Sequence, residues 1–285
     1  MGLIPNIVVN TLVLASMYIL ASLGFAFIFN MLGSVNLAHG AFYMLAAYIT
    51  YYLCAKAGMN NWLAMLLSAI ILAALGVLME RFVFRPFQKE FDRVVMVSVA
   101  IMTMLQQLAV QVSGSQTISI PAYGNGSINL GFMLLSYEKL ITFAVGLVLL
   151  IITLFMVYRT KLGMQMEAIS QDRMGAALQG IPVNKVSALV CGMGFALAAV
   201  AGSMMGAYQQ VSSNMGDNIN VRILMLVMLA GAGSMNGILI TGFLMALLDS
   251  ICPIIWDSYT ASSIACSAVV VLLLIKPKGF FGHEM

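Results

Sequence analysis

One interrupted apolar segment holds the side chains whose types and spacing could do chemistry. The stretch NMLGSVNLAHGAF, residues 30–42, lies in a strongly apolar region, yet amides, an imidazole and glycines break it at Asn30, Gly33, Asn36, His39 and Gly40. An amide oxygen can accept hydrogen bonds from the free N–H groups at a helix start. An imidazole can bond a carbonyl group, line a polar route or carry a proton. The pattern predicts a broken helix, and it leaves open whether Asn36 and His39 only stabilise the break or also line a route.

A second glycine-rich segment, GAGSMNG at 231–237, has a similar order of residues. Its candidate residues are Gly231, Gly233 and Asn236, and the two segments could be corresponding parts of an internal repeat. Membranes tolerate helix breaks only where protein or water covers the backbone, and half-helix ends can then direct their dipoles at a ligand. We therefore predict that both segments either break helices or line a polar route, with Gln106 as a further polar residue inside a span.

Two ionisable residues also lie in or next to apolar runs. Asp249 lies near the outer end of its run, where it is either an interfacial residue or an acidic group that faces the route. Arg222 begins an apolar run, so it could bind a carboxylate, pair with an acid on a partner chain or anchor the interface. The sequence does not choose among these roles.

The sequence does not support enzymatic chemistry. It has no GxxxxGK[ST] phosphate-binding run and no nucleophile paired with a base, so we do not predict an enzyme. The four cysteines lie far apart, and His283 in the tail is the only histidine besides His39. No metal site is therefore predicted.

The composition indicates which elements position these residues. Of the 285 residues, 62% are hydrophobic and 8% are charged, whereas soluble domains carry about 25% charged residues. Apolar runs of about 20 residues are long enough to cross a bilayer as helices. We predict an all-α integral membrane protein over 1–285, a single polytopic bundle of about eight or nine transmembrane helices with broken or re-entrant glycine-rich segments. The candidate spans are 7–29, 37–54, 61–80, 94–112, 138–158, 185–208, 222–232, 237–251 and 260–275, and 222–251 could be one broken unit.

The positive charges indicate the orientation of these spans. Ten of the 13 lysines and arginines lie in three regions, 81–93, 159–185 and 276–278. The positive-inside rule places all three in the cytoplasm. The loops at 55–60, 113–137 and 209–221 are then external, as is the N-terminus.

The loop at about 159–184 is the longest charged segment. Its apolar residues recur at steps of three and four, as in an amphipathic helix that ends at Gly180. Such a helix either docks into a groove of a partner protein or lies on the lipid surface. Periodicity does not distinguish the two.

These motifs together resemble a known family. LGSVNLAHGAFYMLAAY, ERFVFRP, EAISQDRMGAALQGIPVNKV and AGAGSMNGILITGF occur in the order found in permease subunits of ABC importers for branched-chain amino acids. The chain is similar to the H-type high-affinity leucine, isoleucine and valine permeases over nearly its whole length. Relatives of this family import urea, short amides or aromatic acids, so these substrates are alternatives. An ion-coupled secondary transporter is a further alternative, although buried ionisable groups are nearly absent.

The resemblance implies a multi-pass protein of the bacterial cytoplasmic membrane that forms half of a translocation pathway. The expected partners are a second homologous permease, preferably a paralogue, two cytoplasmic ATPases that bind ATP and magnesium, and an extracytoplasmic binding protein. No cofactor is expected on this chain, and no nucleic acid partner. The 159–184 loop would be the coupling helix that docks on the ATPase. Its carried-over contact residues are Glu167, Ala168, Ser170, Asp172, Arg173, Ala176, Ala177 and Gly180.

Overall fold

Helices form almost all of the computed structural model, which describes residues 3–88, 90–114, 116–129, 133–231, 234–255, 258–276 and 279–280. The helices are α1 (Leu3–Leu32), α2 (His39–Ala55), α3 (Asn61–Met79), α4 (Phe91–Ser113), α5 (Tyr137–Arg159), α6 (Lys161–Gln171), α7 (Arg173–Leu178), α8 (Val183–Gln209), α9 (Met215–Ala230), α10 (Met235–Ile255) and α11 (Ser258–Ile275). A short hairpin, β1 (Ser127–Asn129) and β2 (Leu134–Ser136), precedes α5. The prediction of an all-α polytopic bundle is confirmed.

Each predicted span coincides with one of these helices, but their lengths differ. After α3, a π-helical turn (Glu80–Phe84) and a 3-10 turn (Arg85–Phe87) continue the helix to Phe87. Over the described residues, six such helical stretches are long and apolar enough to cross a membrane: Ile4–Leu32, Asn61–Phe87, Phe91–Ser113, Tyr137–Arg159, Val183–Gln209 and Met235–Ile255. The α2 helix has 17 residues and α9 has 16, and about 20 are needed to cross the hydrocarbon region. These two helices are therefore short for a full crossing, and their starting points need an explanation.

The centre of the bundle is formed by α1 and α8. The most apolar 18-residue window of α1 is 89% buried and that of α8 is 72% buried, whereas the windows of α4 and α5 are 17% buried. The two central helices meet at Gly24 and Gly194, where a Cβ on either residue would collide with the carbonyl oxygen of the other. Small residues at such a crossing let two membrane helices pack backbone to backbone.

The described parts of the three basic regions come together at one end of the bundle, called here the basic end. Arg85 donates to the carbonyl of Asn184 at 3.0 Å, at the start of α8. The backbone N–H of Phe280, after α11, donates to the carbonyl of Leu229 at 2.8 Å, at the end of α9. This clustering agrees with a shared side of the membrane for the three regions.

The opposite end is fixed by contacts among the loops and helix ends expected on the other side. Lys139 at the start of α5 donates to Asn10 Oδ1 at 2.7 Å, and Tyr208 near the end of α8 donates to the same oxygen at 3.3 Å. Ile118 in the long loop pairs with Val211 through two backbone hydrogen bonds of 3.0 and 2.7 Å. The two ends of the bundle are thus distinguished by contacts as well as by charge.

Candidate functional site

The first break follows the end of α1. Gly33 has a φ of +65° and its N–H bonds the carbonyl of Phe29 at 2.8 Å, a left-handed end that favours glycine. Asn36 Oδ1 then accepts from the N–H of Ala38 at 3.1 Å, and the N–H of Leu37 donates to Ser98 Oγ at 3.1 Å. Two side-chain oxygens therefore satisfy the backbone of the break before α2 begins at His39. Asn30 is half-buried in the last turn of α1.

His39 lies deep in the protein. Its side chain is fully buried, and Nε2 donates to the carbonyl of Ala21, near the middle of α1, at 3.0 Å. The rings of Phe25 and Phe195 enclose it, each with its centroid 5.7 Å away. These contacts hold the first residue of α2 at the middle depth of the two central helices.

From that depth α2 runs toward the opposite end. A Cβ on Gly202 would collide with the carbonyl of Tyr43, and one on Gly206 would lie against Ala47, so α2 follows the second half of α8. The N-terminus of α2 is therefore inside the bundle, where no bulk water can satisfy its free N–H groups.

Asn220 of α9 supplies a hydrogen-bond partner for a free N–H group at the start of α2. Its Oδ1 accepts from the N–H of Gly40 at 2.8 Å, and its Nδ2 donates to the carbonyl of Leu37. Alongside, Gly40 and Gly216 meet closely, since a Cβ on Gly40 would overlap the carbonyl oxygen of Gly216. The starts of α2 and α9 thus meet at one point, called here the helix junction.

The α9 helix begins at this junction and runs toward the basic end, where its last turn bonds Phe280. Gln106 of α4 fixes its first turn, because Gln106 Nε2 donates to Asp217 Oδ2 at 2.8 Å and to Asn214 Oδ1 at 3.3 Å. Two half-length helices therefore leave the junction in opposite directions. The prediction that 209–221 is an external loop is wrong, since most of this segment is the re-entrant start of α9.

The second glycine-rich segment does not form a break at this depth. Gly231, with a φ of +89°, begins a tight turn between α9 and α10 at the basic end. Asn236 Oδ1 accepts from Tyr158 at 3.1 Å, and Ser234 Oγ accepts from the N–H of Gly237 at 3.1 Å. Gly233 lies outside the described residues. The helical run is thus interrupted here by a turn at a bundle end, and a position beside a route stays a prediction.

A cavity of about 350 Å³ lies between α1, α2, the end of α8, α9 and α10. Arg222 and Asp249 are in its wall, with Arg222 Nε 2.6 Å from Asp249 Oδ2. Tyr18 donates to the same carboxylate oxygen at 2.8 Å, and the Arg222 guanidinium lies 6.0 Å from the centre of the Tyr18 ring. Arg222 and Asp249 therefore pair with each other within one chain, a role that was not among those the sequence left open.

The loop over 159–184 forms two short helices at the basic end. Asp172 separates α6 from α7, and its carboxylate accepts from the N–H of Met174 at 2.9 Å, which starts α7. Gly180, with a φ of +82°, ends the helical turn of α7. The chain then continues into α8. The predicted helical pattern is thus interrupted at Asp172.

The two faces of this α6–α7 pair differ. Glu167, Ser170, Asp172, Ala177 and Gly180 are exposed, as are the apolar Met164, Met174 and Leu178. Ala168 is half-buried and Ala176 is buried, so Ala176 packs against the protein rather than facing outward.

Arg173 is directed inward as well. Its Nη1 donates to the carbonyl of Met31 at 2.9 Å, in the last turn of α1. Burial lowers the pKa of the Arg173 guanidinium, while the nearby carboxylate of Glu80 opposes this shift. Because an arginine pKa starts far above neutrality, Arg173 stays charged and fastens the α6–α7 pair to the helix that precedes the first break.

Comparison with known proteins gives matches over nearly the whole chain. A family profile described as "Branched-chain amino acid transport system / permease component" matches residues 7–275. The chain belongs to this family of transport permeases. Family membership and the membrane-spanning helices make it a multi-pass protein of the bacterial cytoplasmic membrane.

Named relatives of this permease span the same length. The "High-affinity branched-chain amino acid transport system permease protein BraD" of Pseudomonas aeruginosa is 29% identical, over 96% of this chain and 94% of its own. The LivH proteins of Salmonella typhimurium strain LT2 and Escherichia coli K12, with the same description, are each 27% identical over the same shares. Among solved structures, "PsaBC from Streptococcus pneumoniae in complex with Fab" shares 17% identity and a TM-score of 0.49, over 93% of this chain and 89% of that one.

The residues that sequence reasoning missed are the partners of those it found. Asn220, Ser98 and Tyr18 complete the junction and the ion pair, yet each lies far along the chain from the group it serves. The start of α9 did carry a local signal. Asp217 is an acidic residue just before a segment that becomes continuously apolar at 223–230, and an acid in the first turn is typical of a helix N-terminus.

Proposed function

We propose that this permease forms one half of the translocation pathway of an ATP-driven importer. Its substrate would be a branched-chain amino acid, the class that the relatives' descriptions print. ATP hydrolysis, with its magnesium, would take place on two separate ATPase subunits that dock at the basic end. A second permease chain and an extracytoplasmic binding protein would complete the importer.

The observation that carries this proposal is the two-faced α6–α7 pair. Its outer face exposes Met174 and Leu178, at 73% and 82%, beside the carboxylates of Glu167 and Asp172. Apolar groups this exposed, next to charges and at an end of the bundle, fit a helix that docks in a groove of another protein.

The inner face of the pair links a docked ATPase to the membrane-spanning helices. Arg173 ties α7 to the carbonyl of Met31, and the chain then passes through the first break to the helix junction. A displacement of α7 on a moving ATPase would therefore act directly on the last turn of α1 rather than on the lipid-facing helices.

The docking role is tested by changing the outer face alone. In the assembled importer, Leu178→Glu is expected to abolish co-purification of the ATPase chain and ATP-dependent uptake, because it places a charge in an apolar contact. Leu134→Glu is the matched control, since Leu134 is 66% exposed on β2, away from the α6–α7 pair. Normal co-purification and uptake with Leu178→Glu would contradict the docking role.

A further inference from the structure

The Arg222–Asp249 pair separates two cavities. The larger, of about 350 Å³, reaches toward Gln209 and Gln210 at the end of α8. The smaller, of about 140 Å³, is lined in addition by Met225, Met245 and Cys266. Arg222, Asp249 and Asn218 line both spaces. The ion pair therefore forms part of the wall that the two cavities share.

The pair is also accessible from these spaces. The side chains of Arg222 and Asp249 keep 26% and 11% of their surface exposed, so neither is sealed in the protein. Ion pairs inside a membrane protein are costly and usually mark a substrate or ion pathway.

The chemistry of the larger cavity matches one class of solute. Its wall presents one cation and one anion next to each other, and Leu14, Met205, Met215 and Ile219 supply an apolar lining. An α-amino acid carries a carboxylate and an ammonium on one carbon, with an apolar side chain when it is branched. The cavity volume falls within the roughly 300–1,000 Å³ of small-molecule sites.

We infer that Arg222 and Asp249 form an exchangeable gate that binds the zwitterionic head of the amino acid in transit. The substrate carboxylate takes the place of Asp249 on Arg222, and its ammonium takes the place of Arg222 on Asp249. Tyr18 keeps its hydrogen bond to Asp249 and holds that carboxylate in position. The exchange replaces one internal ion pair by two with the substrate, and it opens the wall between the cavities.

This inference rests on the proposed function, and it names the substrate class more narrowly. An uncharged solute such as urea or a short amide cannot compensate both charges when the pair separates, and leaving a charge unpaired is costly. The gate therefore selects zwitterions over the neutral substrates of other relatives.

The gate is tested by neutralising the pair in the assembled importer, reconstituted with its ATPase and binding protein. The double variant Arg222→Gln with Asp249→Asn keeps hydrogen-bonding side chains of similar size, and uptake is normalised to assembled complex. L-leucine uptake is expected to fall by roughly 10- to 100-fold, since hydrogen bonds to charged groups are lost. The matched control is Arg93→Gln with Glu90→Gln, which removes an exposed pair at the basic end.

Substrate binding gives a second measurement that does not depend on turnover. Ser212 lines the larger cavity, so Ser212→Cys in a background without the four natural cysteines should react with a thiol reagent. L-leucine is expected to slow this labelling and urea is not, and the protection should disappear when Arg222 is replaced by Gln. Ser127→Cys, exposed on β1, should label equally in every condition.

The outcomes separate the two proposals. Failure of the wild-type importer to take up branched-chain amino acids would contradict the proposed function. The gate proposal, which rests on that function, would then fail as well. Normal wild-type uptake with undiminished uptake in the double variant would contradict the gate alone. Equal protection of Ser212→Cys by urea, or protection that persists without Arg222, would also overturn the gate.

Discussion

Asn220 of α9 accepts a hydrogen bond from the N–H of Gly40 at 2.8 Å, so a side chain of one half-length helix closes the N-terminus of another. The same amide donates to the carbonyl of Leu37. One residue therefore satisfies both a donor and an acceptor of the broken backbone, at a depth where unsatisfied groups are costly.

Replacement of Asn220 by Ala is expected to destabilise the protein more than a surface change would. It leaves the N–H of Gly40 and the carbonyl of Leu37 without partners, at about 2 kcal/mol or more in total. The measurement is thermal unfolding of the purified chain in detergent. Ser98→Ala, which removes only the acceptor of the Leu37 N–H, should be intermediate, and equal melting of all three proteins would contradict the bracing role.

Gly40→Ala is expected to prevent close packing of the junction. The added methyl group would overlap the carbonyl oxygen of Gly216 and the Asn220 amide, and overpacking typically costs about 1–3 kcal/mol. The yield of folded protein after detergent extraction should fall sharply. Gly33→Asn is the control, because Gly33 has open space around it and asparagine tolerates its left-handed φ; a similar loss in this control would point to the break in general and not to the junction.

Arg173→Ala should separate ATP hydrolysis from transport. The exposed residues of the α6–α7 pair remain for the ATPase to contact, while the link to the carbonyl of Met31 is lost. We expect the ATPase chain to co-purify and to hydrolyse ATP, with uptake reduced at least about tenfold, since a hydrogen bond from a charged group contributes about 1.5–3 kcal/mol.

Two outcomes would decide what Arg173 does. Partial recovery with Arg173→Lys, which keeps a charged donor on a shorter side chain, is expected if the link to α1 carries the coupling. Loss of ATPase co-purification in Arg173→Ala would instead assign Arg173 to the docking surface itself.

Glu138→Gln is expected to loosen the long loop at the opposite end. Glu138 Oε2 accepts from the N–H of Tyr123 at 2.7 Å and from that of Gly124 at 3.4 Å, and these contacts hold the loop before the hairpin. Removing the charge weakens both bonds. Hydrogen exchange of residues 116–129 should speed up while that of α8 stays unchanged, and unaltered exchange in the loop would rule out this anchoring.

The sequence was sufficient for the helices because their apolar runs are long and continuous. It also located the first break, since Gly33, Asn36 and Gly40 are residues that end helices, cap them or allow close approach. It placed the start of α9 too late, at 222. Asp217, Asn218 and Asn220 look like a solvated loop, and only Gly40 and Gln106, which are distant in sequence, make them acceptable inside the bundle.

Similar local composition had two different outcomes. Both Gly33–Gly40 and 231–237 combine glycines with an asparagine, yet one starts a half-length helix inside the bundle and the other turns the chain at its end. The difference depends on which helix lies opposite, and that is a property of the three-dimensional packing. The pairing of Arg222 with Asp249 was missed for the same reason, because α9 and α10 bring together residues 27 positions apart.

The helix junction also has an electrostatic consequence. Each α-helix carries a partial positive charge at its N-terminus, equivalent to roughly half an elementary charge. Because α2 and α9 both begin at the junction and diverge from it, two such poles face each other within the bundle. The carboxylate of Asp217 in the first turn of α9 offsets one of these poles. The free pole is therefore that of α2, which contributes a partial positive charge inside the bundle without any cation.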